Sequence, residues 1–92
     1  MRIEWSRRGH GDLDWIEDYI AHDNPSAALG VRERIEAQVT LLKLQPRMGR
    51  QGRVRGTREF VVTTLPYIVV YRLKGKAVQI VRVLHGAQQW PR

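Results

Sequence analysis

The sequence predicts one α+β domain, in which a helical hairpin packs across one face of an antiparallel sheet. Three observations predict this fold class: a short alternating segment opens the chain, two stretches with helical periodicity follow, and three apolar strand patterns close it. The expected order of elements is therefore strand, helix, helix and a three-stranded meander. The whole chain, residues 1–92, is expected to form this single domain.

The N-terminal part of the chain is expected to contain a strand and a helix. Arg2–Trp5 alternates between polar and apolar residues, which predicts a short strand. Ser6 is a residue type that starts turns and caps helices. Helical spacing of apolar residues begins from Asp12, and Gly9 and Gly11 argue against an earlier start of this helix.

A second, longer helix follows a break in the chain. Asn24 is suited to cap a helix, and Pro25 is suited to its first position. Apolar residues then recur at spacings of three and four. We expect the helix to end near Leu44, because Gln45 precedes Pro46 and a residue before proline avoids the helical region.

Three strand patterns occupy the C-terminal half of the chain, at residues 57–63, 67–73 and 77–84. Short turns separate them, one at Pro66 and one at Gly75. Because short connections join neighbouring antiparallel strands, we expect a meander. The second pattern is almost continuously apolar, which is typical of a central strand covered on both faces.

The composition excludes several classes of site. The chain has no cysteine, which excludes disulfides and thiolate metal sites. His10, His22 and His85 are too scattered for a recognisable zinc spacing, so no metal site is expected. The sequence has no apolar run of about 20 residues and no apolar leader, so we expect a cytoplasmic protein without a membrane partner.

Positive charge is concentrated in one glycine-containing segment. The net charge is +7, and residues 46–58 read PRMGRQGRVRGTR with no acidic residue among them. A planar guanidinium group binds phosphate at two points, so clustered arginine favours a polyanionic partner such as RNA or DNA. The arginines of this segment are Arg47, Arg50, Arg53, Arg55 and Arg58.

Five short motifs are distributed along nearly the whole chain, in an order that agrees with the predicted elements. They are DNP at residues 23–25, GR at 49–50, GTRE at 56–59, PYIVVY at 66–71 and RVLHGAQ at 82–88. With these motifs the chain resembles the RelE/ParE superfamily of bacterial toxins. The resemblance implies the toxin of a type II toxin–antitoxin pair, with a cognate antitoxin as its partner.

The resemblance leaves two activities open. RelE-like members cleave mRNA on the ribosome, whereas ParE-like members inhibit DNA gyrase without acting as nucleases. We favour the first activity, with the ribosome and mRNA as partners. It needs no cofactor, because the ribose 2′-hydroxyl is the nucleophile. In the second activity, the helical hairpin and the C-terminal segment dock on gyrase, and no residue performs chemistry.

The resemblance also implies a set of residues for RNA cleavage. Arg58 and Arg82 match arginines that bind the scissile phosphate and stabilise its extra charge. His85 matches a C-terminal general acid or base, and Glu59 is a conceivable base. The other arginines of the segment would hold RNA more diffusely; they are Arg47, Arg50, Arg53 and Arg55.

Each of these residues also has a structural interpretation. His85 is suited to ending its strand, and Glu59 is suited to a salt bridge. Arg82 is suited to pairing with Glu59 or with an antitoxin carboxylate. Strict alternation places Arg82 and His85 on opposite sides, so a bulge or an early strand end is needed if both contact one phosphate. The tryptophans, which we expect to serve in packing, are Trp5, Trp15 and Trp90.

Overall fold

The computed structural model describes residues 1–86 and 88–91, and it confirms the predicted α+β fold class. Two helices pack on a five-stranded sheet. A short 3₁₀ turn, Leu41–Lys43, continues the second helix to within one residue of its expected end. The elements in chain order are β1 (Arg2–Trp5), α1 (Arg7–Ala21), α2 (Pro25–Thr40), β2 (Arg50–Gln51), β3 (Arg58–Val61), β4 (Tyr67–Lys74) and β5 (Ala77–His85).

The sheet has the strand order β1-β5-β4-β3-β2. Its β3, β4 and β5 strands form the predicted antiparallel meander. One strand departs from the antiparallel expectation, because β1 pairs with β5 in parallel and makes the sheet mixed. The β2 strand was not predicted. It comprises only Arg50–Gln51, paired with β3 inside the arginine-rich segment, and two residues are too short to show a period of two.

The first helix begins at Arg7, five positions before the predicted start. The Ser6 hydroxyl caps it by accepting a hydrogen bond from the Gly9 N–H at 2.9 Å. Gly9 is buried, and a Cβ at this position would lie 2.9 Å from the carbonyl oxygen of Ile80 in β5. The glycine that argued against a helix therefore permits this helix to approach the sheet closely.

The second helix starts as predicted and is fastened to the first by ion pairs. The Asn24 side chain accepts a hydrogen bond from the Ala27 N–H, and Pro25 occupies the first helical position. The Arg32 guanidinium donates to Asp14 at 2.8 Å and to Glu17 at 2.7 Å, both on α1. The hydrogen bond from Arg32 lowers the pKa of Asp14, so this carboxylate stays ionised at neutral pH.

The hydrophobic core lies between the helical hairpin and one face of the sheet. Strands β4 and β5 supply alternate residues to it, and the two helices supply their apolar stripes. No helix in the described part of the chain is long and apolar enough to cross a membrane. The side chains of the core are Leu13, Ile16, Ile35, Val39, Leu42, Phe60, Val62, Tyr67, Val69, Tyr71, Val78, Ile80 and Val83.

Candidate functional site

A buried tyrosine fastens the arginine-rich segment to the sheet. The Tyr71 hydroxyl donates to the carbonyl of Pro46 at 2.8 Å and accepts from the N–H of Gly49 at 2.8 Å. Burial raises the pKa of Tyr71, so the hydroxyl stays protonated at neutral pH. A Cβ on Gly49 would lie 2.7 Å from this hydroxyl oxygen, so a larger residue would displace the loop from β4.

Glu59 forms ion pairs with two of the loop arginines. The residue is 2% exposed, and its carboxylate accepts from the backbone N–H of Arg53 at 2.9 Å and from the Arg53 side chain at 3.2 Å. The Arg50 guanidinium lies 3.8 Å from the same carboxylate. Burial raises the pKa of Glu59, but the hydrogen bonds from Arg53 outweigh it and hold the pKa below its usual value. The contacts of Glu59 are therefore those of a salt-bridge partner.

The other three arginines of the segment line one cavity of about 470 Å³, which we call the arginine cleft. Arg47, Arg55 and Arg58 contribute its charged groups. Two backbone carbonyl groups orient the Arg58 guanidinium, because its Nη1 donates to the carbonyl of Gly49 at 2.7 Å and to that of Arg47 at 3.4 Å. The cluster predicted from the sequence thus divides into two arginines that share the Glu59 carboxylate and three that share a cleft.

Arg82 is held by an acidic residue that lies 70 positions away in the sequence. The Asp12 carboxylate of α1 accepts from Arg82 Nε at 2.7 Å and from Nη2 at 3.2 Å. The same carboxylate accepts the Val83 N–H at 2.9 Å, beyond the point where β1 stops pairing with β5. Of the alternatives considered for Arg82, the pairing with Glu59 is wrong, because the free edge of β5 faces α1 and Asp12 occupies it.

The C-terminal segment covers the same arginine. The guanidinium carbon of Arg82 lies 5.6 Å from the ring centroid of Trp90, within the range of a cation–π contact. Between this ring and Asp12, the Arg82 residue is only 7% exposed. Trp90 and the partly buried Trp5 thus serve in packing, as expected.

His85 lies at the end of β5, next to an aromatic residue of β4. It is exposed, and its ring meets that of Tyr67 edge-on with centroids 5.9 Å apart. Its backbone N–H donates to the side chain of Gln88 at 3.3 Å. His85 borders a groove of about 630 Å³ between α1 and the ends of β4 and β5.

A bulge in β5 lies before Arg82. The catalytic interpretation needs an irregularity between Arg82 and His85 instead, so that both side chains could contact one phosphate. The register passes from Tyr71↔Ile80 to Val70↔Arg82, so Val81 is left without an opposite residue. From there the pairing is regular to Tyr67↔His85. Arg82 and His85 are three positions apart along this regular stretch, so their side chains leave opposite faces of the sheet.

The predicted catalytic residues are therefore not brought together. Arg58 borders the arginine cleft, and Glu59 is engaged by Arg53. Arg82 is bound to Asp12, and His85 borders the groove that Asp12 also lines, with its side chain on the opposite face of β5 from that of Arg82. Within residues 1–86 and 88–91, no group of three or more acidic or histidine side chains is arranged to hold a metal ion.

An exposed aromatic pair on α1 was not foreseen. Trp15, expected to be a packing residue, is 64% exposed, and Tyr19 is 67% exposed. Their rings stack with centroids 5.1 Å apart, one turn apart along the helix, at the rim of the groove beside His85. The only signal in the sequence is that both residues flank, rather than join, the apolar stripe of the helix.

Comparison with known proteins gives the family. A sequence model described as the ParE toxin of the type II toxin–antitoxin system parDE matches residues 3–90. The chain belongs to the ParE toxin family. A solved structure titled as the chromosomal ParDE toxin–antitoxin system of P. aeruginosa has a TM-score of 0.86 and 32% identity, and the match covers 92% of this chain and 95% of that one.

The curated relatives of this ParE family member are toxins by name. A Sinorhizobium fredii protein named as a candidate toxin, Y4kP, is 44% identical over 98% of this chain and 93% of its own length. Toxin RelE2 of Caulobacter vibrioides is 33% identical, and the match covers 95% of this chain and 97% of RelE2. Toxin ParE3 of the same organism is 36% identical, and the match covers 92% of this chain and 86% of ParE3. The protein is thus the toxin of a type II pair with a cognate antitoxin.

Proposed function

We propose that this toxin acts as a ParE-type inhibitor of DNA gyrase, by binding its target without breaking a covalent bond. This departs from the ribosome-dependent nuclease that we favoured from the sequence. The observation that carries the proposal is the state of Arg82. Its guanidinium is bound by both oxygens of Asp12 and covered by Trp90.

Metal-free RNA cleavage requires a base, a charge-stabilising cation and an acid around one phosphate. Arg82 already has the Asp12 carboxylate as its counter-ion, and the side chain of His85 projects from the opposite face of the sheet. Glu59 is buried and ionised beside Arg53, which leaves it a weak base. These contacts favour a toxin that works by association.

The exposed surface also supports a protein target. Trp15 and Tyr19 place two large aromatic side chains on the outside of α1. Aromatic residues are enriched in protein–protein interfaces relative to the rest of the surface. The stacked pair lies on the helical hairpin, which together with the C-terminal segment docks on gyrase in the ParE-like activity that the sequence resemblance left open.

A second candidate is the ribosome-dependent mRNA endoribonuclease. One observation favours it: the exposed imidazole of His85 borders a groove that also contains Asp12 and Tyr67. In this alternative His85 is the general acid or base, and the arginines of residues 46–58, Arg58 foremost, hold the RNA. The ribosome would then have to complete the set of catalytic groups.

Two assays on the purified toxin separate the candidates. The first measures supercoiling of relaxed plasmid by gyrase, with relaxation by a type I topoisomerase as the specificity control. The second maps cuts in ribosome-bound mRNA during translation. We expect supercoiling to be lost and mRNA to stay intact. Codon-positioned cuts with unimpaired supercoiling would overturn the proposal.

His85→Ala provides the matched residue test. If the toxin inhibits gyrase by association, this variant removes at most one side chain from a larger docking surface, so inhibition of supercoiling should fall far less than the loss of a catalytic group would lower a rate. If His85 is a general acid or base, the variant loses roughly 100- to 10,000-fold in mRNA cleavage. His85→Gln, which keeps hydrogen bonding without proton transfer at neutral pH, gives the same contrast.

A further inference from the structure

The arginine cleft is a concentrated positive site on this toxin. Among the residues that the structure describes, none of those lining it carries a carboxylate. Arg47, Arg55 and Arg58 also make no ion pair within residues 1–86 and 88–91, whereas Glu59 engages Arg50 and Arg53 next to it. The charge of the cleft is therefore available to a ligand.

The cleft is held in shape by the sheet beneath it. Two carbonyl groups fix the Arg58 guanidinium, and the Tyr71 hydroxyl fixes the loop that supplies those carbonyls. On the facing side, the Gly52 N–H donates to the Thr57 carbonyl at 2.8 Å and closes the turn that carries Arg55. A ligand thus meets arginines whose backbone is already ordered, which reduces the entropy lost on binding.

We propose that the arginine cleft binds the phosphate backbone of a nucleic acid. Guanidinium forks match phosphate oxygens at two points, and three of them around one cavity supply more charge than one peptide carboxylate needs. The lining is mostly polar, and Leu73 is its aliphatic contribution. An antitoxin segment with apolar anchors finds no apolar pocket in this cleft, whereas the exposed aromatic pair lies elsewhere, on α1. The inference holds for either target considered above.

The probe is a short fluorescein-labelled DNA duplex, in two unrelated sequences, added to the isolated toxin. Anisotropy gives the dissociation constant over a series of salt concentrations. We expect both duplexes to bind alike, because phosphate contacts carry no sequence information. Each of Arg47→Gln and Arg55→Gln should weaken binding at low salt and lower the slope of log K against log salt by about 1.

Arg34→Gln is the matched control. Arg34 is an exposed arginine on α2 that donates to Thr64, so the variant removes the same charge outside the cleft. Equal losses of affinity for Arg34→Gln and Arg47→Gln would mean diffuse attraction and would overturn the proposal. Thermal melting of each variant checks that the fold is intact, which is expected because Arg47 and Arg55 are exposed.

The antitoxin supplies the remaining decisive measurement. If Arg47→Gln with Arg55→Gln abolishes antitoxin binding and leaves the duplex affinity unchanged, the cleft is a carboxylate site and the proposal is wrong. Unchanged antitoxin binding with weakened duplex binding supports it. A toxin that fails to inhibit gyrase but shows these salt slopes contradicts only the proposed function, so the two failures are distinguishable.

Discussion

Asp12 is the residue on which the end of β5 depends. It joins a side chain and a backbone N–H of that strand to α1. Asp12→Asn removes the counter-ion of an arginine side chain that is 9% exposed, and breaking such a pair from one side is costly. We expect the free energy of unfolding to fall by about 3 kcal/mol in urea denaturation.

The control is Asp18→Asn on the same helix. Asp18 is exposed and enters no ion pair among the described residues, so this change should stay within about 0.5 kcal/mol of the parent. Equal, small effects of both variants would show that the Asp12–Arg82 pair adds nothing to stability.

Glu59 should make the stability of the toxin sensitive to acid. Burial raises the pKa of Glu59, but the hydrogen bonds and charge of Arg53 lower it by more than burial raises it. The net effect is a pKa below the usual 4.5. A carboxyl group whose pKa is depressed in the folded state stabilises it above the unfolded pKa, and this contribution is lost as pH falls through the folded pKa. We therefore expect the melting temperature to drop as pH falls below about 4.5, and to drop less steeply in Glu59→Gln. Parallel acid curves for the two proteins would contradict this.

At the scale of elements, the packing of α1 on β5 depends on Gly9 but not on Gly11, the other glycine of the same helix. A Cβ at Gly9 would meet the Ile80 carbonyl oxygen at 2.9 Å, whereas a Cβ at Gly11 would meet nothing within 4 Å. Gly9→Ala should therefore destabilise the fold, because helix and strand must separate. Gly11→Ala should stabilise it by up to about 1 kcal/mol through helix propensity. Urea denaturation of both variants checks this, and shifts of the same sign would rule it out.

The elements also show how far the sequence could predict this protein. Alternation and helical spacing are local, so they predicted the meander and the second helix. The parallel pairing of β1 with β5 and the contact of Asp12 with Arg82 join residues about 70 positions apart, where no local pattern reports proximity. The bulge at Val81 has no signature in an apolar run. The start of α1 was missed because Gly9 is selected by packing rather than by helix propensity.

For the whole molecule, the net charge of +7 should control how fast the antitoxin arrives. An antitoxin segment of opposite charge is steered to a basic surface, and salt screens this attraction. We expect the association rate constant to fall as salt rises, while the dissociation rate constant changes little. Stopped-flow fluorescence of toxin and antitoxin measures both, and an association rate independent of salt would contradict charge steering.

The position of β5 between β1 and β4 affects how the toxin is made. Translation produces β1 first and β5 last among the strands, yet the sheet places them side by side. A nascent chain that stops before Ala77 leaves β1 without its neighbour and β4 with one bare edge. The complete five-stranded sheet therefore cannot form until β5 has been synthesised. Pairing β1 with β5 also carries a large entropic cost of loop closure, because the two strands are far apart in the sequence, and this cost slows folding relative to a helical domain of the same length.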